Sequence, residues 1–265
     1  MTAQRSRPFF LNSTSQQIFT LHYPAEGTAK ETIVICPPAP QEIMRAQAGL
    51  GQLARRLQED GYNVIRFDYS STGDSEGTGD TASIDQWLQD ILQVCTFAQE
   101  QTGGTVLSLV GLRLGAALAI RASHHTPLHR LVLWDPVLDG IHYLREMEAS
   151  HARMFHLNAI EPPFPSWRYG QTQCWGFPWS EGWRSQIAAV SPALLVPKAK
   201  RTHIVLSATD PIARDVSQGW QKLGIQSDLQ HIGEPMYWGD ERYLKIRAFP
   251  SAHVRRIQAL WETQE

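Results

Sequence analysis

Cysteine is scarce in this chain of 265 residues: there are three, Cys36, Cys95 and Cys174, far apart in the sequence. None stands in a C-x-x-C pair, so neither a disulfide framework nor a zinc site is indicated. A surplus of one charge is also lacking. Lysine and arginine number 24 against 26 acidic residues, a formal net charge of -2. That removes the bulk electrostatic basis for binding nucleic acid or an anionic membrane surface. No apolar run approaches the ~20 residues of a membrane span, and the N-terminal "MTAQRSRPFFLNSTSQQ" has no apolar core of a signal peptide. Repeats, low-complexity tracts and Ser/Gly-rich linkers are missing too. These absences predict a soluble, cytoplasmic protein of one domain, 1–265, long enough to bury a full core.

What is present is an alternation. "ETIVIC" (31–36) is a β-branched run stopped by Pro37 and Pro38. Ala46, Leu50, Leu53 and Leu57 then recur at helical spacing. "YNVIRF" (62–67) is a strand, and Ile84, Trp87, Leu88, Ile91, Cys95 and Ala98 mark one helix face. "TVLSLV", "RLVLWD" and "THIVLSA" are buried-type strands, with a helix around 211–223 and a strand near 226–232 after them. A last helix carries Val254, Ile257 and Leu260. Strand alternating with helix predicts a mostly parallel sheet covered on both faces, an α/β fold. "PFFLN" and "QIFTLHY" predict an antiparallel hairpin at the start. Residues 136–200 break the rhythm, with no clear strand, Pro162, Pro163, Pro165 and Pro178, and four of the nine tryptophans: Trp167, Trp175, Trp179 and Trp183. A stretch this long predicts a cap inserted above the sheet, its aromatics lining an apolar pocket or packing as a small core of their own.

The chemistry concentrates in "LSLVGLRLGAALAI" (107–120). An apolar run meets a glycine, three residues, a second glycine and a small-residue helix, the outline of a nucleophile elbow. The nucleophile's place holds Arg113. A guanidinium stays protonated and cannot attack a carbonyl. Pointed into a cleft, it needs an anionic partner, from the protein or from a ligand. Glu42, just after "CPPAP", is the internal candidate.

Four blocks, "VICPPAPQE", "GYNVIRFDYSSTGDSEG", "VGLRLGAALA" and "LVLWDPVLDG", together resemble the α/β-hydrolases of the serine aminopeptidase-like type. More narrowly, they are similar to the exosortase A-associated hydrolases of the second type, in which the elbow commonly reads Gly-Leu-Arg-Leu-Gly. The resemblance runs from about residue 8 to 263 and is weakest over 136–200. It implies an α/β-hydrolase fold, a biosynthetic setting, and an acyl, ester or thioester substrate with no cofactor.

It also implies positions for the machinery of acyl transfer: nucleophile, base, orienting acid and two oxyanion donors. The oxyanion donors fall on the N–H groups of Leu114 and of Ala39 or Gln41, since the neighbouring prolines have none. The orienting acid falls on Asp210, which is equally a helix N-cap before Pro211. Asp135, before Pro136, reads as a turn starter. The base should be a histidine in the loop 233–251, which contains none. His231, just before that loop, is a displaced candidate, while Tyr237 and Trp238 stand nearest the usual place. The serines and Asp74 of "DYSSTGDSEG" read as turn chemistry, and Cys36 as core.

Two readings of function stay open. In the first, an enzyme with altered apparatus uses Arg113 to hold an anionic group and Asp210, His231 or Tyr237 to move protons, with Trp238 against the substrate. In the second, a pseudo-hydrolase binds a ligand or a partner without turnover. A homo-oligomer or a biosynthetic partner protein is compatible with either. "GLRLGA" lacks the spacing of the dinucleotide and P-loop fingerprints, which sets nucleotide binding aside.

Overall fold

The computed structural model describes residues 6–12, 16–101, 106–157, 172–239 and 250–262. Its strands are β1 (Arg7–Asn12), β2 (Gln17–Tyr23), β3 (Thr32–Cys36), β4 (Asn63–Phe67), β5 (Leu107–Leu112), β6 (Leu128–Trp134), β7 (Gln173–Cys174), β8 (Phe177–Pro178), β9 (Ala199–Leu206) and β10 (Ser227–His231). Eight of them form one sheet in the order β1-β2-β4-β3-β5-β6-β9-β10. β1 and β2 make the expected antiparallel hairpin, β2 meets β4 antiparallel, and every later pairing is parallel. β3 and β5 are buried along their whole length, as a sheet covered on both faces requires.

On one face lie α1 (Pro40–Glu59) and α7 (Ser251–Ala259). Their apolar stripes, Ala46, Leu50, Leu53 and Leu57 against Val254 and Ile257, close one core. On the other face α2 (Ile84–Gln101) and α3 (Leu114–Ala122) build the second core with Trp87, Ile91, Leu118 and Leu133. α6 (Pro211–Lys222) begins where both signals predict: Asp210 caps it by accepting from the N–H groups of Ile212 at 2.8 Å and Ala213 at 3.3 Å, and Pro211 opens its first turn.

Between β6 and β9 the chain forms α4 (Gly140–Leu157), the β7–β8 ribbon and α5 (Glu181–Ala188). The ribbon corrects the expectation of no strand here. Each arm has two residues, too short for any periodicity, and the turn rests on Trp175 (φ 53°) and Gly176 (φ 87°). Trp167, Pro162, Pro163 and Pro165 lie outside the described residues. Trp179 and Trp183 are buried, their rings 5.3 Å apart, and Trp183 meets Trp87 edge-on at 5.9 Å. Among the described residues no helix is long and apolar enough to cross a membrane. The turn after β4 is held in part by its own polar groups, as expected, with Ser75 Oγ donating to the Asp68 carbonyl, and in part by α2, where Asp90 accepts from Ser70 Oγ. Cys36, Cys95 and Cys174 are buried free thiols, and burial pushes all three pKa values up.

His253, in α7, is fully buried with neither ring nitrogen partnered among the described residues, and it stacks on Trp134 at 5.8 Å. Burial holds its pKa below the ordinary 6.5, against the opposing pull of Asp135 and Glu234. The unfolded chain therefore takes up this proton first as pH falls below that value. Stability contributed by the neutral ring is complete above the unfolded pKa and is lost on the acid side. His253→Phe is expected to show a smaller fall in melting temperature than wild type between about pH 7.5 and 5.5, read by scanning calorimetry. Equal falls would remove His253 as the source.

Candidate active site

β5 ends at Leu112 and α3 begins at Leu114, so Arg113 alone makes the turn, at φ 55° and ψ -119°. A side chain held at positive φ stores about 1–3 kcal/mol, which the surroundings must enforce. They do: the Arg113 N–H donates to the Trp134 carbonyl at 3.0 Å, and the Arg113 carbonyl accepts from Ala116 at 3.0 Å and Val137 at 3.1 Å. The two glycines let the pieces meet. A Cβ on Gly111 would lie 2.4 Å from Ala116 Cα, and one on Gly115 would lie 2.3 Å from the Pro37 carbonyl oxygen. The strand-turn-helix expected from 107–120 is thus present, with arginine at its apex.

The Arg113 side chain is largely buried. Its Nε donates to Glu42 Oε1 at 2.8 Å and its Nη2 to Glu146 Oε2 at 2.9 Å. The guanidinium makes no other hydrogen bond among the described residues, which leaves Nη1 uncommitted. Glu42 is fully buried in the first turn of α1. Its second oxygen accepts from Tyr143 Oη at 2.9 Å, and Tyr143 Oη accepts from Gln41 Nε2 at 2.9 Å. The guanidinium also lies over the Tyr143 ring, 5.5 Å from its centre. Burial pushes the Glu42 carboxyl above its ordinary range, and Arg113 offsets only part of that. Burial alone would lower Arg113, but the charges of Glu42 and Glu146 outweigh it and keep the guanidinium protonated.

Two cavities open beside Arg113. One, of about 230 Å³, is lined by Asp135, Asp210, Tyr237 and Trp238 among others. The other, of about 210 Å³, is lined by Asp139, His142, Tyr143, Glu146 and Asp210 among others. Asp210 and Glu146 belong to both. Asp135, at φ 42°, is more than a turn starter. Its carboxylate accepts from the Ser207 N–H at 2.7 Å and from Trp238 Nε1 at 2.6 Å, tying the ends of β6 and β9 to the last loop. An indole N–H here serves a carboxylate, and an indole can neither take nor give a proton in the reaction.

Each residue expected from sequence now has a place. Arg113, Asp210, Tyr237 and Trp238 are brought together around one cavity, and Glu42 is the internal partner of Arg113. Trp238 is buried and packs edge-on against Trp134 at 5.2 Å. Ala39 is buried before α1, where its carbonyl accepts from the Glu42 N–H at 2.9 Å, and Leu114 is the first residue of α3. Gly115, packed on the Cys36 and Pro37 carbonyls, brings those two segments side by side. His231 is not brought in. It is exposed at the end of the outermost strand, paired with Leu206, and lines neither cavity. β10 stands three strands from β5, on the order of 14 Å away. Sequence reasoning missed His142, Tyr143 and Glu146. The spacings 142/146 and 143/146 set each of the first two beside Glu146 on the helix, a signal available only once that helix is known to dock over the elbow. Among the described residues no group of three or more histidine, cysteine and acidic side chains could hold a metal ion.

This architecture, a mostly parallel eight-stranded sheet with a strained elbow after β5, defines the α/β-hydrolase fold. The sequence matches the serine aminopeptidase S33 family over residues 30–211, and the chain belongs to that family. Its structure is similar to the Est1E protein of Butyrivibrio proteoclasticus, solved with ferulic acid bound (TM-score 0.67, 14% identity, 96% of this chain and 100% of that one). It is also similar to the Pyrococcus furiosus esterase Pf2001 (0.66, 13%, 97% and 90%) and to mouse alpha/beta hydrolase domain-containing protein 10 (0.61, 15%, 97% and 97%). At such identities the likeness speaks for the fold alone. No curated protein matches the sequence.

Proposed function

We propose that this protein cleaves an acyl ester or thioester by direct attack of water, without a serine-bound intermediate, and that 136–200 acts as a cap over the site. The observation that supports it best is the Arg113 guanidinium at the elbow apex, with Nη1 uncommitted, beside cavities it shares with Asp210. Two carboxylates already balance its charge, so a fully anionic ligand gains little there. A neutral acyl carbonyl fits better: it accepts from Nη1 and builds negative charge only as it is attacked. The N–H groups of Leu114 and Ala39 are the further donors for that oxygen.

Asp210 is the base. One of its oxygens caps α6 and the other makes no hydrogen bond among the described residues. Water oxygen bonds to the carbonyl carbon while Asp210 takes a water proton. The bond to the leaving oxygen or sulfur then breaks, and that proton passes to the leaving group. Tyr237 and Trp238 hold the substrate against the elbow, and His231 has no part.

The test is a panel of acyl esters and acyl thioesters with purified wild type and Asp210→Asn. Asparagine still caps a helix, so this variant removes basicity and keeps the fold. A fall in kcat of about 10²-fold or more at an unchanged melting temperature is expected. Wild type with no turnover on the whole panel would overturn the proposal in favour of a ligand-binding or scaffold protein.

A further inference from the structure

Another cavity, of about 300 Å³, lies apart from those beside Arg113, between the turn after β4, the start of α1 and the tryptophans of 172–183. It differs from them in two ways. Among the described residues no charged side chain lines it, whereas the others hold Arg113, Asp135, Glu146 and Asp210. Its apolar wall is also aromatic: Trp87, Phe177, Trp179 and Trp183. Trp87 is fixed from behind by Tyr69, stacked at 4.6 Å, and by its Nε1 donating to the Ser70 carbonyl at 3.0 Å. That side of the wall is therefore preformed.

Polar capacity is left over in the same place. Gln41 lines the cavity with only 1% of its surface exposed. Its Nε2 is spent on Tyr143, and its Oε1 is buried with no partner among the described residues. The indole Nε1 atoms of Trp179 and Trp183 are likewise buried and without a partner among the described residues. A buried acceptor or donor without a partner is costly, and a ligand that supplies the partner recovers that cost. The volume is that of a small ligand pocket.

We propose that this cavity is a binding site for the flat, uncharged aromatic group of a small molecule, whose phenol-type hydroxyl donates to Gln41 Oε1. Aromatic walls favour a ring, which gains offset or edge-on contacts an aliphatic ring cannot make. Among the described residues no cation lines the cavity, which disfavours a carboxylate. Gln41 joins this cavity to the elbow through Tyr143, Glu42 and Arg113. The site nevertheless stands without any reading of the chemistry at Arg113, because binding is measured without turnover.

The probes are p-cresol, toluene and cyclohexanol, titrated into the full chain by calorimetry and tryptophan fluorescence. p-Cresol is expected to bind saturably, about fivefold to tenfold more tightly than toluene and more tightly than cyclohexanol. Ala82 lines the cavity, and Ala82→Phe is expected to abolish binding by filling it. Gln41→Leu is expected to bring p-cresol down to the affinity of toluene. The proposal is overturned if no probe binds saturably, if cyclohexanol matches p-cresol, or if an Ala82→Phe variant that melts like wild type still binds. Should Ala82→Phe melt early, Gln41→Leu decides: p-cresol affinity unchanged in that variant also overturns it.

Discussion

Arg113→Ala is expected to lower kcat/KM toward acyl esters by about 10²–10³-fold, the loss of one well-aimed oxyanion donor. The drop should fall mainly on kcat. Nη1 meets a neutral carbonyl in the ground state and a developing oxyanion in the transition state, and only the second interaction gains strongly from a fixed cation. Arg113→Lys should recover little. A single ammonium cannot reach Glu42, Glu146 and a carbonyl together, which the fork of a guanidinium does. Arg113→Ser should recover nothing, although it recreates the residue usual at an elbow. Among the described residues, the only histidine lining either cavity is His142, which sits in the first turn of α4 and has no carboxylate bonded to its ring. Steady-state assays of the three variants with melting curves alongside decide the matter. An Arg113→Ala enzyme with full activity would sink the role given to the guanidinium.

The frame of this site was legible in sequence because it is built from local rules. Gly111 and Gly115 flank one residue that must turn a strand into a helix, and the backbone atoms that meet there leave no room for a Cβ. Asp210 before Pro211 reads as an N-cap and is one. Glu42 could be named as the partner of Arg113 because it follows "CPPAP", the segment that the family resemblance sets beside the elbow, and the parallel pairing of β3 with β5 brings the two together. What escaped depends on docking. Glu146 lies 33 residues beyond Arg113, on a helix whose orientation no local pattern states. Asp135 looked like a turn residue, and it is one. Its second task, accepting from Ser207 and Trp238, requires the ends of β6 and β9 and the last loop to converge. His231 misled for the opposite reason: proximity in sequence to the expected loop says nothing of its distance across the sheet.

Removing the partner tests a different property. Glu42→Ala is expected to destabilise the fold by about 3–5 kcal/mol, a fall in melting temperature of roughly 10 °C for a chain of this size. The variant leaves the Arg113 Nε and the Tyr143 hydroxyl facing a cavity, and only the half-exposed Glu146 remains on the cation. Glu42→Gln should lose less, because an amide oxygen can still accept and the shape is kept. The informative variant is the pair Arg113→Met with Glu42→Met. Replacing both charges by apolar groups of similar volume removes the desolvation that each imposes, so most of the stability should return. Activity should not. Stability follows the pair as a unit, whereas catalysis follows the guanidinium alone, and thermal melting with parallel turnover assays separates the two. A double variant as stable and as active as wild type would make the ion pair a packing device in an elbow whose chemistry lies elsewhere.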